Sequence, residues 1–464
     1  MIPARKLDTE IGGLKTKLWS HQAEAVEFCR DRPGSMLNMW MGTGKTLCAI
    51  ALMISENYQT ILVVCPKSVI DVWESELEKH SDTPFDLCIL NEKNTQHKAK
   101  QLRKALTNAK FKKKKLIALI NYDSVWRGEL GKTILAEIWD LVVADEVHRI
   151  KSGMGVTSRF MASLRDRAKK RLGLTGTPMP HSPVDIFAQF RFLNPSIYGF
   201  SFTRFRAQYC IMGGYGGYEV KGYQNEADLK KRFESITFTA TKDVLDLPEY
   251  QHIQRRVPLD MKGMEVYLQF EELFYTELKE GKVTAQNALV KLLRLQQITS
   301  GFLRTDEGKE VRIDYAKQNL LEEIFEDIDV HEPIVIFSRF RHDIQTVRFA
   351  ALKAERLTSE LSGTQNQLEE WQSGKTEVLA ANIRSGGVGV DLSRARYCIF
   401  YSLGFSLGDY EQALARLHRP GQKRNVVYIH LIAKGTVDEK VYGALRKRKQ
   451  VVETILEGGI KSWN

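Results

Sequence analysis

The sequence predicts an α/β protein with two parallel sheets and a helical segment between them. Short, continuous apolar runs recur along the chain, separated by helix-like stretches, and they form two sets at residues 1–200 and 312–464. Continuous runs of Val, Ile and Leu are typical of parallel strands that helices cover on both faces. A chain of 464 residues is also too long for one ordinary core. We therefore expect two α/β domains with one sheet each.

Eight apolar runs are the predicted strands. They lie at residues 61–65, 116–120, 141–144, 172–174, 334–337, 378–381, 398–401 and 427–432. The middle of the chain differs, because residues 200–245 are rich in Phe, Tyr and Gly, which predicts a loop or hairpin. Residues 260–303 carry a helical periodicity. We predict domains at 1–200 and 312–464, with helical insertions and a linker at 201–311.

The composition favours a soluble, intracellular globular protein. Hydrophobic residues make up 43% of the chain and charged residues 27%. No apolar run approaches the roughly 20 residues of a membrane span, and residues 1–15 lack the apolar core of a signal peptide. The six cysteines are scattered without metal-ligand spacing, which predicts reduced, mostly buried thiols. A net charge of +11 suits simple solubility and attraction to nucleic acid equally well.

A glycine-rich turn near the N-terminus has the features of a phosphate-binding loop. Its residues are Gly42, Thr43, Gly44, Lys45 and Thr46. Glycines let backbone N–H groups approach a phosphate, and the N-terminus of the helix that follows favours negative charge. Lys45 is suited to reach the β- and γ-phosphates of ATP, and the Thr46 hydroxyl to ligate Mg²⁺. Met39 stands where the commonest form of this loop has its first glycine, so the match is partial.

Two acidic residues follow the apolar run at 141–144. Asp145 and Glu146 would lie at the carboxyl edge of a parallel sheet, where ligands of α/β proteins bind. Asp145 suits Mg²⁺, directly or through water, and Glu146 suits orienting and deprotonating an attacking water. The alternative is a strand followed by helix-capping acids. The upstream Lys45 favours the functional interpretation.

Three further segments are suited to phosphate. Residues 172–178, Leu-Gly-Leu-Thr-Gly-Thr-Pro, could sense the γ-phosphate and relay its loss to the second domain. Residues 385–392 contain small side chains, at Ser385, Gly387 and Gly389 among others. Small side chains let the backbone approach a phosphate, here one of ATP or of DNA. Asp391 lies near the end of this segment. If residues 412–422 are helical, Arg416 and Arg419 project from one face. Arginine suits phosphate because its planar fork stays charged and binds oxygens bidentately.

The order of these segments resembles helicase superfamily two and, within it, the SWI/SNF-type DNA translocases. The resemblance covers nearly the whole chain. Besides the segments above, it rests on Leu18-Trp19-Ser20-His21-Gln22, on Val63-Val64-Cys65-Pro66-Lys67-Ser68 with Trp73 and Glu76, and on Gln412, Arg416, Arg419 and Gln422. The chain departs from the family pattern at Val147, at Pro180-His181 and at Met39-Trp40. The last of these departures concerns details of nucleotide contact.

The resemblance implies two RecA-like P-loop domains that hydrolyse ATP with Mg²⁺ when they are bound to DNA. In such enzymes Gln22 would read adenine, and Gly387, Gly389 and Asp391 would belong to the nucleotide site. Arg416 and Arg419 would be arginine fingers that reach the γ-phosphate held by the first domain. The family's motif positions also imply six DNA contacts. These are Lys67, Asn121, Tyr122, Ser338, Arg339 and Ser385.

The hypothesis from sequence is an ATP-dependent double-stranded DNA translocase that remodels DNA or protein–DNA complexes. Its expected setting is recombination, repair or replication, through branch migration, fork remodelling or annealing, on duplex or branched DNA. Because the motor takes up almost every residue, we expect a bacterial or phage protein in the cytoplasm, or a nuclear one if it is eukaryotic. Alternatives are a strand-separating helicase and the motor subunit of a restriction system. A passive DNA-binding scaffold with an inactive ATPase is an alternative of a different class.

Overall fold

The computed structural model describes residues 8–92, 94–150, 153, 155–180, 182–214, 219–279, 285–305, 308–384 and 390–457. The chain forms two compact units, one from Met1–Leu245 with Gln450–Asn464 and one from Asp246–Lys449. The ends of the predicted middle segment do not coincide with this division. Residues 201–245 belong to the first unit and residues 246–311 to the second. The assignment of 201–311 as insertions and linker stays a prediction.

The first unit is built on a seven-stranded parallel sheet with the strand order β3-β4-β2-β5-β6-β1-β9. Its strands are β1 (Gly34–Met39), β2 (Thr60–Cys65), β3 (Phe85–Leu90), β4 (Lys115–Asn121), β5 (Trp139–Asp145), β6 (Ala168–Thr175) and β9 (Thr237–Ala240), with an antiparallel hairpin of β7 (Cys210–Gly213) and β8 (Glu219–Tyr223). Its helices are α1 (Ser20–Arg30), α2 (Lys45–Ser55), α3 (Ile70–His80), α4 (Thr95–Lys112), α5 (Gly128–Ala136), α6 (Val156–Leu164), α7 (Ile186–Leu193), α8 (Phe202–Tyr209) and α9 (Glu226–Ser235).

The continuous apolar runs arise because this sheet is covered on both faces. Alternate residues of β2 enter two separate hydrophobic clusters, Leu62 and Val64 in one and Ile61 and Val63 in the other. A strand with helices on both faces has no side that can be polar, so alternation disappears from its sequence. Because the strands are parallel, the segments that follow β1, β2, β4, β5 and β6 all leave the same edge of the sheet.

The second unit contains a six-stranded parallel sheet with the order β10-β17-β16-β13-β15-β14. Its strands are β10 (Tyr250–Val257), β13 (Ile334–Ser338), β14 (Thr358–Leu361), β15 (Val378–Asn382), β16 (Tyr397–Phe400) and β17 (Val426–Ala433), with a small antiparallel pair of β11 (Phe302–Arg304) and β12 (Glu310–Arg312). The remaining helices are α10 (Met261–Lys279), α11 (Ala285–Thr299), α12 (Ala316–Glu326), α13 (Arg341–Lys353), α14 (Leu368–Gln372), α15 (Leu407–Leu417) and α16 (Val437–Glu457).

The predicted α/β architecture with two parallel sheets is confirmed, and all eight predicted strands are strands. Five strands of the two parallel sheets were not predicted from the apolar runs. They are β1, β3, β9, β10 and β14. β1 is fully buried yet contains Gly34, Ser35 and Asn38, whereas β10 lies at a sheet edge and is largely exposed. The prediction of a loop or hairpin for 200–245 is incomplete, because this stretch also forms α8, α9 and β9.

All six cysteines are buried and free, as predicted. A search of the described part of the chain found no helix with both the length and the apolar character that a membrane crossing requires.

Candidate active site

The phosphate-binding loop connects the buried strand β1 to the helix α2. Gly42 and Gly44 have φ angles of +82° and +90°, in the left-handed region where side chains are strained. A Cβ atom at Gly44 would also crowd the side-chain amide of Gln22, so a larger residue there would both strain the backbone and displace that amide. The loop ends at Lys45, where α2 begins and its N-terminal N–H groups favour an anion. The local structure is therefore suited to a phosphate, and phosphate binding by this loop stays a prediction.

Lys45 lies between two of the predicted motifs. Its Nζ atom donates to the backbone oxygens of Met39 at 2.9 Å and Trp40 at 3.3 Å. A Cβ atom at Gly176 would lie 3.7 Å from the same nitrogen and 3.2 Å from the Met39 oxygen. Strands β1 and β6 are neighbours, with Asn38 paired to Thr175, and this pairing brings the two segments together. Lys45 and the turn at residues 175–178, both predicted to face phosphate, therefore lie next to each other, and the phosphate-sensing role of that turn stays a prediction.

The Gln22 side chain is hydrogen-bonded to the backbone of the phosphate-binding loop. Its side chain is buried, its Oε1 accepts from the Trp19 N–H at 2.9 Å, and its Nε2 donates to the Thr43 oxygen at 3.0 Å. The His21 ring contacts the same Thr43 oxygen at 3.0 Å. Thr43 is itself fully buried and donates its hydroxyl to the Trp40 oxygen at 2.6 Å. The role of Gln22 in adenine recognition stays a prediction, and the structure gives it a role in loop geometry.

Asp145 ends β5 and is buried beside the loop. Trp73 donates its indole N–H to Oδ2 of Asp145 at 2.9 Å, and the Tyr122 hydroxyl donates to the backbone oxygen of Asp145 at 2.8 Å. Burial, with a further contribution from the charge of Glu146, raises the pKa of Asp145 to about 6. The indole hydrogen bond and the Lys45 charge oppose this rise in pKa. A carboxylate at this position therefore depends on its few donors to stay ionised.

Glu146 has an unusual backbone and a side chain that points toward His148. Its φ angle is +54°, which is uncommon and strained for a non-glycine residue. Its Oε2 lies 3.3 Å from Nδ1 of His148, and that nitrogen lies 3.0 Å from the Thr175 hydroxyl. The His148 contact does not have the geometry of a hydrogen bond, and among the described residues no other donor reaches the buried Glu146 Oε2. An unsatisfied carboxylate oxygen beside a phosphate loop suits a group that accepts a proton from water.

The residues present fit an ATP site that uses Mg²⁺. Oxygen ligands are available from the Thr46 hydroxyl at the start of α2 and from the Asp145 carboxylate. Within the described ranges, no cluster of three or more His, Cys, Asp or Glu side chains could hold a metal alone.

In the second unit, Arg419 and Asp391 lie together. Arg419 Nη1 donates to the Val390 oxygen at 3.2 Å, and its Nε lies 3.8 Å from Oδ2 of Asp391. Ser385, Gly387 and Gly389 lie outside the described residues, so only the end of the predicted small-residue run is placed. The grouping of Asp391 with Arg419 was not expected from their separation in the sequence.

Residues 412–422 are only partly helical, so the condition under which Arg416 and Arg419 would share a helix face is not met. Helix α15 ends at Leu417, and His418 has the non-helical angles φ −90° and ψ +81°. Pro420 disfavours helical angles at Arg419, and Gly421 follows with φ +104°. Arg416 therefore belongs to the last helical turn, while Arg419 belongs to the loop.

Gln422 organises this loop. Its Nε2 donates to the backbone oxygens of Ser393 at 3.0 Å and Ala395 at 2.8 Å. Its Oε1 accepts from the backbone N–H groups of Lys423 and Arg424 at 3.0 Å each. The side chain is buried, so each of these groups relies on it rather than on water. Gln422 matches the family motif, and its contacts are structural.

Gln422→Ala is expected to lower the free energy of unfolding of the second unit by roughly 2–4 kcal/mol, because it leaves buried backbone groups unpaired. Urea unfolding followed by fluorescence measures the change. Gln372→Ala is the control, because the exposed Gln372 makes one hydrogen bond, to the Asp391 oxygen. That control should change the stability by less than about 0.5 kcal/mol. Equal effects of the two variants would contradict the structural role.

The predicted DNA contacts differ in exposure. Lys67 is exposed, whereas Asn121 and Tyr122 are buried at the end of β4 and Ser338 is buried at the end of β13. Tyr122 uses its hydroxyl on Asp145, and Asn121 Oδ1 accepts from Lys98 Nζ at 3.5 Å. The six DNA contacts stay predictions, and the intramolecular bonds of Tyr122 and Asn121 are an additional finding.

Arg339 is held within the second unit. Its guanidinium donates to the side-chain oxygen of Gln296 on α11, and its backbone N–H donates to the Ser402 hydroxyl at 2.8 Å. Burial lowers the pKa of Arg339. Sequence reasoning did not find Gln296 as a partner, and nothing in the spacing of these two residues indicates it.

Comparisons with known proteins match both units. The family described as SNF2-related domain matches residues 21–301, and the helicase conserved C-terminal domain matches residues 316–421. The DNA annealing helicase and endonuclease ZRANB3 of Bos taurus is 25% identical over 470 residues, which cover 98% of this chain and 42% of that protein. Putative protein p41 of Acyrthosiphon pisum secondary endosymbiont phage 1 is 26% identical over 459 residues, covering 90% of this chain and 94% of the phage protein.

A solved structure, the Sulfolobus solfataricus SWI2/SNF2 ATPase core in complex with dsDNA, is 23% identical with a TM-score of 0.46. The match covers 98% of this chain and 96% of that one. Among the curated relatives described above, the chain spans less than half the length of the bovine protein and nearly all of the phage protein.

Proposed function

The chain belongs to the SNF2-related family of helicase-like, ATP-dependent enzymes, and we propose that it is a DNA-dependent ATPase that moves along double-stranded DNA. Movement of this kind would remodel DNA or protein–DNA complexes, in recombination, repair or replication. The observation that carries the proposal is the grouping of Lys45, Asp145, Glu146 and Gly176 at one edge of the first sheet. This grouping supplies the groups that phosphoryl transfer to water requires.

The polar residues near this edge of the sheet have roles that follow from their positions. Lys45 binds the transferred phosphate, and the Thr46 hydroxyl with the Asp145 carboxylate holds the cation. Glu146 Oε2, buried without a donor among the described residues, orients the attacking water and accepts its proton. Bound Mg²⁺ supplies neutralisation of the charge on the phosphates. Arg416 and Arg419 are proposed to stabilise the charge of the transferred phosphate.

Two features support DNA as the partner. The bovine relative is a DNA annealing helicase and endonuclease, and an Arabidopsis thaliana relative that is 24% identical is a CHD3-type chromatin-remodeling factor. The net charge of +11 attracts a polyanion. Binding through phosphates should be largely independent of sequence and should weaken steeply with salt. Branched DNA as a preferred substrate and a place in repair or recombination are the finer parts of the proposal.

ATP hydrolysis is expected to be slow without nucleic acid and to rise severalfold with DNA, because DNA binding would organise the catalytic groups. Duplex and branched DNA should stimulate more than single strands, and RNA should not stimulate. Phosphate release, measured across these nucleic acids with Lys45→Ala as the inactive control, tests the proposal. Hydrolysis that ignores DNA, or that responds only to RNA, would overturn it.

A displacement assay on a partial duplex distinguishes the strand-separating alternative. A translocase of the proposed type hydrolyses ATP on duplex DNA and displaces a bound protein or a triplex-forming strand, while the duplex stays paired. Separation of the two strands that depends on ATP hydrolysis and keeps pace with it would assign the chain to the helicase alternative. Binding of DNA with no hydrolysis on any substrate would assign it to the passive scaffold.

A further inference from the structure

Asp145 is held by two hydrogen-bond donors that come from two other segments of the first unit. Trp73 lies on α3 and is fully buried, and its indole N–H donates to Oδ2 of Asp145 at 2.9 Å. Tyr122 follows β4 and is also buried, and its hydroxyl donates to the Asp145 backbone oxygen at 2.8 Å. One donor therefore fixes the carboxylate, and the other fixes the peptide that carries it.

The sheet explains why these two residues converge. Strand β2 lies between β4 and β5, so the segments after β2 and β4 reach the end of β5. Trp73 and Asp145 are 72 residues apart in sequence, and Tyr122 and Asp145 are 23 apart. Both donor segments, around Lys67 and around Asn121, are also predicted DNA-contact segments. The two bonds thus tie those segments directly to the acidic residue.

The chemistry of the two bonds is unequal. A hydrogen bond to a buried carboxylate is stronger than one to a neutral carbonyl, because the acceptor carries charge. Trp73 can only donate, so its bond holds Oδ2 of Asp145 in place and sets the direction in which the carboxyl group faces. Tyr122 constrains the backbone at the junction with Glu146, whose φ angle is +54°. Loss of the indole bond should therefore have the larger effect.

We propose that Trp73 and Tyr122 are positioning residues that set the affinity of the Asp145 site for nucleotide-bound Mg²⁺. This inference rests on the proposed function, because it assumes that Asp145 holds the cation. Neither residue touches the reacting atoms in this role. Each acts by fixing Asp145, as residues behind metal ligands commonly do.

The test is the Mg²⁺ dependence of ADP binding, measured by calorimetry on the full chain with free Mg²⁺ varied against an EDTA reference. Trp73→Phe keeps an aromatic ring but loses the donor. It should raise the Mg²⁺ concentration needed for tight ADP binding roughly 10- to 100-fold. Tyr122→Phe should raise it roughly two- to tenfold. ADP affinity in EDTA should not change in either variant.

The chain offers a matched control for each variant. Trp139 is also fully buried and donates its indole N–H to the Ile134 oxygen at 3.0 Å, at the start of β5 rather than its end. Tyr198 is buried and donates its hydroxyl to the Leu229 oxygen at 2.6 Å. Trp139→Phe and Tyr198→Phe therefore remove a buried indole donor and a buried hydroxyl donor whose acceptors are backbone carbonyls away from Asp145. They should leave the Mg²⁺ dependence at its wild-type value.

The outcomes separate the inference from the proposed function. If the wild-type protein binds ADP equally with and without Mg²⁺, the proposed function fails. If the wild type depends on Mg²⁺ but Trp73→Phe and Tyr122→Phe match it, the positioning role is wrong. An equal shift in the control variants would also overturn that role, because it would reveal general loosening of the core. Should Trp73→Phe not fold, Tyr122→Phe decides alone.

Discussion

Arg419→Ala is expected to lower DNA-stimulated ATP hydrolysis roughly 10³- to 10⁵-fold while ATP still binds, which is the range for loss of an arginine finger. The reason is that guanidinium charge matters most when charge spreads over the transferred phosphate, and less when ATP is simply bound. Single-turnover hydrolysis and equilibrium ATP binding, measured on the same preparations, separate the two effects.

Two further variants test whether the loss of activity in Arg419→Ala comes from the missing guanidinium group. Arg419→Lys keeps the charge but loses the fork that reaches the Val390 oxygen, so it should recover little activity. Arg424→Ala is the control, because Arg424 lies nearby and forms an exposed ion pair with Glu332 at 2.8 Å. Exposed ion pairs contribute little to stability, so this control should stay active. Equal losses in Arg419→Ala and Arg424→Ala, or lost ATP binding in Arg419→Ala, would contradict the finger role.

The sequence predicted the interior strands of both sheets except β1, whose Gly34, Ser35 and Asn38 interrupt the apolar run, and it missed the edge strands β3, β9, β10 and β14. Runs such as residues 61–65 and 427–432 are recognisable because strands buried on both faces must be apolar throughout. Strand β9 joins the first sheet by pairing Met36 with Thr237, across some 200 residues, and local pattern carries no trace of that pairing. Strand β10 is mostly polar because one edge of it faces solvent.

The features of the candidate site also divide into those that the sequence identified and those that it did not. The glycines of the loop and the pair Asp145 and Glu146 could be found because their chemistry is local in sequence. The support of Gln22 for Thr43 and of Trp73 for Asp145 could not, since the first depends on the packing of α1 against α2 and the second on β2 and β5 being neighbours. The sequence left open whether residues 412–422 are helical, and Pro420, which disfavours helical angles at Arg419, explains why the helix ends before that residue.

Glu146→Gln is expected to lower ATP hydrolysis roughly 10²- to 10⁴-fold, the contribution of a general base, with nucleotide and DNA binding retained. The amide keeps the size of the side chain but no longer accepts a proton from water. Its contacts with His148 should survive, because an amide oxygen can still face that ring at the observed 3.3 Å. Steady-state hydrolysis with saturating duplex DNA measures the loss, and DNA and ADP titrations check binding.

The strained backbone at Glu146 allows a control that separates chemistry from conformation. Asn tolerates left-handed angles better than Glu, so Glu146→Asn should fold at least as stably while its shorter amide leaves the enzyme inactive. If both variants lose activity and retain binding, the carboxylate itself is required for turnover. If Glu146→Gln remained active, the base would be another group, and the unsatisfied Glu146 Oε2 would need a structural explanation. A Glu146→Asn variant more stable than the wild type would show that the left-handed backbone at this position costs folding stability when Glu occupies it.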